Sequence, residues 1–343
     1  MITIGIDPHK NSLTAVAVES TRESVATIRI AVTATMVRQL QEWAARWPRR
    51  RWAVEGAEGL GRGVAQGLAS AGEQVVDVPA QLAARARLLN SGHARKTDAL
   101  DAASVAAVAA HHPRLRLVHA EGHSLGLRLF SDRRDDLAEE RTRTANRLHA
   151  LLRDLVAGGA KRNLTATHAA GLLRTVRPMT PGDEHRKSLA QDLLADLRRL
   201  DRALLANAAQ IQGAVSASGT TLTTLPGIGP VLAAKILGHT SEISRFPSRH
   251  HFASYCGTAP IEASSGEQRR HRLSRAGNRQ LNRALHLMAL CQIRTRSPGK
   301  DYYQQKLADM KTPAEARRAL KRRLSDVVYR RITKDQQDSP TDT

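Results

Sequence analysis

The spacing of apolar residues over roughly the first eighty positions constrains this chain more than any other feature. Ile2, Ile4 and Ile6 recur at every second residue and stop at Asp7, the pattern of one face of a β-strand. Two further β-rich runs, Leu13 to Val18 and Val25 to Ile30, follow after short polar turns. Connections this short suit hairpins, so the three strands are expected to be antiparallel neighbours. The pattern then predicts a helix around Val37 to Trp47, a strand Trp52 to Glu55, a helix from about Leu60 to Ala71, and a strand Gln74 to Val78. A last helix is expected to begin near Thr97 and to run through the alanine-rich stretch Ala102 to Ala110.

Three hairpin-linked strands followed by alternating helix and strand is the order of an RNase H-like α/β fold. On that order Asp7 ends the first strand and Glu55 the fourth, while Asp98 and Asp101 share one helix face at i, i+3. If that helix crosses the sheet near those strand ends, four carboxylates converge. Such a cluster repels itself unless cations fill it, and Mg²⁺ suits it, taking oxygen ligands and phosphate oxygens together. Singly, each acid has a structural reading: an Asp after a strand is a common turn residue, and Asp98 after Thr97 complements a helix N-terminus. The glycines Gly56, Gly59, Gly61 and Gly63, with Asp77 beyond, imitate a dinucleotide-binding turn. Their spacing is not G-x-G-x-x-G, and Glu55 has no place in that motif.

The charge balance narrows the partners. Lys and Arg number 53 against 32 Asp and Glu, a net +21, which points to a polyanion. No run of about 18 apolar residues and no secretory leader pattern occurs, so nucleic acid is favoured over membrane and a cytoplasmic location is expected. Aromatic residues are 3% of the chain, too few for a single-strand binder built on stacking, so backbone phosphate contacts should dominate. Cys256 and Cys291 form no CxxC pair and are expected to be packed thiols, with neither disulfide nor zinc.

The 343 residues allow two or three domains. After the α/β domain, residues 1–115, a charged helical region spans 116–215. Its apolar seams are Leu148, Leu151, Leu152, Leu155 and Leu193, Leu197, Leu200, Leu204, Ile211. Gly158, Gly159, Pro178, Pro181 and Gly182 lie between them, so two long coiled-coil-like helices are expected, as a hairpin or a dimer contact. A helical C-terminal domain, 216–333, and an unstructured tail, 334–343, complete the expected organisation.

Leu225-Pro-Gly-Ile-Gly-Pro230 before an apolar helix is similar to a helix-hairpin-helix element, in which Gly227 and Gly229 would let backbone N–H groups approach a phosphate. The same residues also suit a plain turn between packed helices. A small-residue loop, Ala259 to Gly266, precedes the basic residues Arg269, Arg270, His271 and Arg272. Arg275, Arg279 and Arg283 repeat at i, i+4, i+8, a helical stripe for phosphates or simply a solvated face. Spacing alone leaves Ser265 a loop serine.

Taken as a set, these residues resemble the DEDD transposases of the insertion-sequence "one-ten" family, also called bridge recombinases, over nearly the whole chain. The likeness lies in Ile4-Gly-Ile-Asp7, Val54-Glu55, Arg95-Lys-Thr-Asp-Ala-Leu-Asp101, Pro226-Gly-Ile-Gly229, Ser244-Arg-Phe246, Ser265-Gly266 and Ser274-Arg-Ala-Gly-Asn278. The resemblance implies a RuvC-type domain whose metal ligands, for Mg²⁺ or Mn²⁺, are Asp7, Glu55, Asp98 and Asp101. It also implies a serine nucleophile, Ser265, ahead of the adjoining Ser264. It implies donor and target DNA, a structured non-coding guide RNA, and a homo-oligomer, dimeric or tetrameric, joined through the central helices. RNA contacts fall on the helix carrying Asn146 and Arg147, and Asn278 joins the arginines as a nucleic-acid contact. One departure is Glu58, which stands where the family commonly has glycine after the metal-binding Glu; strand position favours Glu55 over Glu58.

The resemblance implies recombination through a phosphoserine ester, with Arg269 or Arg272 offsetting developing charge. Two other readings remain: a metal-dependent structure-selective nuclease using water on the same carboxylates, and a non-catalytic nucleic-acid scaffold. The clustered aspartates argue against the last, since a basic binder gains nothing from them.

Overall fold

The computed structural model describes the chain apart from residues 20–22, 92–96, 113–114, 121, 263–270, 273–276 and 339–343. Its residues fall into two compact units, Met1–Glu121 and Gly122–Thr343.

In the first unit β1 (Ile2–Pro8) is buried along its whole length. It pairs antiparallel with β2 (Ser12–Val18), which pairs antiparallel with β3 (Ser24–Ala31). On its other side β1 runs parallel to β4 (Arg50–Glu55), and β4 parallel to β5 (Val75–Val78). A short antiparallel β6 (Arg116–Val118) closes the order β3-β2-β1-β4-β5-β6. The first five strands have the RNase H-like arrangement expected from the sequence.

The alternation of side chains decides which residues meet which helices. Ile2, Ile4, Ile6, Trp52 and Val54 face α1 (Met36–Ala44) and α2 (Arg62–Ser70) in one core cluster. Each fully buried Ile or Leu there stabilises the fold by about 2 kcal/mol. The odd-numbered positions of β1 and β4, and the even-numbered ones of β2 and β5, face the other way. Ala53, Val76 and Val78 pack with α3 (Ala80–Ser91) and α4 (Asp98–His111), and Val16 and Val18 pack on Ala102 and Ala106. At the strand edge Glu73 accepts hydrogen bonds from Trp52 Nε1 (2.8 Å) and Arg50 Nε (3.1 Å). Burial alone would push the Glu73 carboxyl up; hydrogen bonds from Arg50, Trp52 and Gln41 outweigh it and hold the group below its ordinary range.

The second unit is helical. Helix α5 (His123–Leu155) lies against α7 (Pro181–Ala217), with α6 (Ala166–Thr175) between them in sequence. At 1.5 Å per residue the two long helices are on the order of 50 Å each. Leu148, Leu152, Leu173, Leu194 and Leu197 share one cluster, while Leu127, Ile211 and Val215 join the core of the following helices. These are α8 (Pro230–Thr240), α9 (Arg249–Tyr255), α10 (Arg279–Arg294), α11 (Pro298–Ala308) and α12 (Pro313–Asp338). Strands β7 (Ile261–Glu262) and β8 (His271–Arg272) pair antiparallel.

Several expectations need correction. Helices α3 and α6 and strand β6 went unforeseen. In the seam of α7 the half-buried Leu193 is joined by Leu194, which is buried, and Asn207 also occupies it, donating from Nδ2 to the Phe130 carbonyl at 3.1 Å. Helix α12 continues through 334–338, so the tail is not unstructured from 334; Leu324, Val328 and Ile332 anchor its last turns in the core. Cys256 is buried, which pushes its thiol up, but Cys291 is exposed rather than packed.

Candidate metal centre and nucleic-acid interface

The parallel register sets Ile6 beside Val54, so the next residues, Asp7 and Glu55, lie side by side at the same end of the sheet. Both occupy odd positions and therefore point to the face covered by α3 and α4. Helix α4 reaches them because Gly5 lets it settle on β1: a Cβ there would stand 2.0 Å from the Ala102 carbonyl oxygen and 2.6 Å from the Ala106 nitrogen. The helix starts at this point because the Thr97 side chain accepts a hydrogen bond from the Leu100 N–H at 3.3 Å. Its first turn carries Asp98 and Asp101.

Two groups of contacts result. His9 Nε2 lies 3.3 Å from both Asp7 Oδ2 and Asp98 Oδ1, without hydrogen-bond geometry, and Arg29 Nη1 lies 3.3 Å from Asp98 Oδ2. One ligand atom from each of Asp7, His9 and Asp98 falls within 4.8 Å of the others. On the inner side Arg87 Nη1 stands 2.5 Å from Asp101 Oδ1. The Asp101 carboxylate, with Glu55 and Asp7 next in order, holds the Arg87 guanidinium above its usual range. All four expected acids are therefore within the electrostatic reach of two basic side chains, His9 and Arg87, which the sequence reasoning missed. Asp7 and Asp101 are buried. Hard oxygen donors that draw in cations in this way match the donor set of a divalent ion.

Glu58 turns elsewhere. It is exposed and paired with Arg116, which also lies 3.3 Å from Asp77 Oδ2. Asp77 Oδ1 accepts the Ala57 N–H at 2.9 Å, so its work is to hold the turn after Glu55.

In the second unit Gly227 has φ +83° and lies close under α10, where a Cβ would meet Cys291 Cβ at 3.1 Å and the Met288 carbonyl at 3.2 Å. Gln292 Nε2 donates to the Pro226 carbonyl at 2.7 Å, and Gly229, exposed, caps α8. Asn278 Oδ1 accepts from the Gln280 and Leu281 N–H groups, each at 3.0 Å, and so starts α10. Arg279 and Arg283 are exposed on this helix. Asn146 and Arg147 are exposed on α5. Ser265, Arg269, Arg270 and Arg275 lie outside the described residues, and of Arg272 only the backbone in β8 is described.

A family model described as "DEDD_Tnp_IS110: Transposase" matches residues 4–156, and one described as "Transposase IS116/IS110/IS902 family" matches 219–304. The chain belongs to this transposase family. The 44.8 kDa protein of insertion element IS116 from Streptomyces clavuligerus is 27% identical to the transposase, with 96% of this chain and 94% of that protein covered. The 43.6 kDa protein of insertion element IS110 from Streptomyces coelicolor is 29% identical, with 76% of each covered. A solved structure of T. thermophilus RuvC in complex with Holliday junction substrate aligns with 34% of this chain and 99% of its own, at 18% identity and a TM-score of 0.29. Among the described residues of the transposase no helix is long and apolar enough to cross a membrane.

Proposed function

We propose that this transposase cuts and rejoins DNA strands through a phosphoserine ester, with Asp7, Glu55, Asp98 and Asp101 as ligands of Mg²⁺ (or Mn²⁺) and Ser265 as nucleophile. The reading is supported by one observation above all: Asp101 pairs with the Arg87 guanidinium, on which the charges of Glu55 and Asp7 also act, and His9 lies against both Asp7 and Asp98. A bound divalent ion would supply Lewis-acid polarisation of a phosphodiester. In the serine step Oγ forms a bond to phosphorus and releases its proton, while the bond to the leaving strand oxygen breaks and that oxygen is protonated. The phosphodiester linkage is conserved, so a hydroxyl from another strand end can reverse the step without ATP. Arg269, Arg270, Arg272, Arg275, Arg279 and Arg283 would line the DNA path, and the structured guide RNA would contact Asn146 and Arg147. Gly227, already fitted against α10, serves this reading as the turn that presents Gly229. Asn278 serves it by starting the helix that carries Arg279 and Arg283.

The test is a covalent protein–DNA adduct trapped on denaturation. Wild type should give one, Ser265→Ala none, and Asp101→Asn none. An adduct from Ser265→Ala overturns the serine assignment, and free cleaved ends without any adduct from wild type favour water as nucleophile.

A further inference from the structure

Helix α10 carries a basic stripe on the side away from the core: Arg279, Arg283 and His286 recur at i, i+4 and i+7, and both arginines are exposed. Its opposite side, with Leu281, Ala284, Leu285 and Met288, is buried. The start of the helix is fixed by Gly277, packed against Gly257, and by the Asn278 N–H, which donates to the Tyr255 carbonyl at 2.6 Å. Helix α12 adjoins the stripe. Lys321 Nζ donates to Asn282 Oδ1 at 2.6 Å, and one turn further along each helix from this bond lie His286 and Arg317.

These cations have no acid to balance them. Among the described residues Arg279, Arg283, Arg317 and Lys321 pair with no carboxylate, whereas Arg318 reaches Glu315 and Arg322 pairs with Asp326. The consequence falls on the two groups that can give up a proton. Lys321 is buried, and burial, with Arg317 adding to it, pulls its amine below its ordinary range. His286 is only half-buried, so part of it reaches solvent; burial, then Lys321 and Arg317, hold its ring below its usual range. Those two cations of α12 are the charged groups that act on the ring, and among the described residues no group of α8 or α11 and no acid opposes them. At neutral pH the ring is therefore uncharged, in a positive field that lacks an anion.

We propose that α10 and α12 form a phosphate-binding surface for duplex DNA, in which Arg279, Arg283 and Arg317 hold the backbone and His286 joins them as a proton-linked contact. A phosphate brings the counter-charge that the protein lacks there. The imidazole then takes one proton from solvent and donates an N–H to a phosphate oxygen as an imidazolium. Because the bound form holds the extra proton, affinity falls as pH rises through the interval between the titration of the free ring and that of the bound one. The assignment rests on the function proposed above only in taking the phosphate from DNA.

The full chain is compared as wild type, His286→Gln and Arg317→Gln, on a labelled DNA duplex and a structured RNA of equal length. Heats of binding in two buffers of different ionisation enthalpy give the protons taken up, and affinity is followed from about pH 5 to 8. On DNA the wild type should take up as much as about one proton more than His286→Gln, and its affinity should fall more steeply with pH, by at most about tenfold per unit. Arg317→Gln removes a neighbouring cation, so in the free protein the His286 ring should titrate at higher pH, followed by NMR. On DNA its dependence of log affinity on log salt should be shallower by about 0.9. Equal proton uptake by wild type and His286→Gln overturns the proton-linked contact, and an unchanged salt dependence in Arg317→Gln overturns the surface. A proton difference seen with the RNA and not with the DNA overturns the choice of partner. Should His286→Gln not fold, a wild-type His286 signal that titrates at the same pH with and without DNA overturns the contact instead. Proton linkage through His286 in a protein that forms no serine adduct leaves the surface standing and removes the recombinase reading.

Discussion

A carboxylate at the end of a strand is visible in a sequence because the period-two pattern stops at it; Asp7 after Ile2, Ile4 and Ile6 is the example here, and Glu55 after Val54 another. The basic residues that meet them carry no such mark. His9 follows Pro8 in what resembles a turn, and Arg87 is one of two arginines on a helix whose apolar residues form no clean stripe. Their roles depend on where α3 and β1 end in space. Arg87 nevertheless makes a testable difference: it supplies positive charge to Asp101, Glu55 and Asp7, which an ion at the proposed centre would supply instead. Removing the guanidinium in Arg87→Met should lower the melting temperature without divalent ions, through like-charge repulsion, and enlarge the increase produced by Mg²⁺. Equal Mg²⁺ responses in both proteins would separate Arg87 from the ion.

Elements were legible where burial follows a simple period. The five strands of the RNase H-like arrangement alternate or run apolar, whereas β6 has only three residues and α3 lacks a stripe. The seam of α7 was read incompletely because Leu194, beside Leu193, is buried as well and because a polar residue, Asn207, continues the buried row. What seats α4 is an absence of side chain at Gly5, and two substitutions contrast that with an ordinary helical glycine. Gly5→Ala forces backbone apart under α4 and should destabilise the first unit by about 3 kcal/mol in urea unfolding. Gly213→Ala, on an exposed turn of α7 with nothing within 4 Å of the new methyl, should stabilise the second by about 0.5–1 kcal/mol. A neutral Gly5→Ala would mean that α4 is not held by that contact.

At the level of the whole molecule, a net charge of +21 was readable from composition, and it predicts how the chain meets any duplex. With several phosphates neutralised at once, affinity for DNA should fall about a thousandfold between roughly 50 and 200 mM salt, measured by fluorescence anisotropy. A shallow dependence would contradict binding led by backbone charge. Composition could not reveal how the serine-bearing segment is moored, since Gly257 and Gly277 are far apart in the chain and touch only once α9 and α10 are packed. That junction has an evolutionary corollary. With both ends already joined, doubling the span between them adds only about 0.6 kcal/mol of closure entropy. Lengthening that spares Ser265 and the arginines would therefore leave the surrounding helices undisturbed, whereas a side chain at Gly277 would stand 2.3 Å from the Gly257 nitrogen and part them.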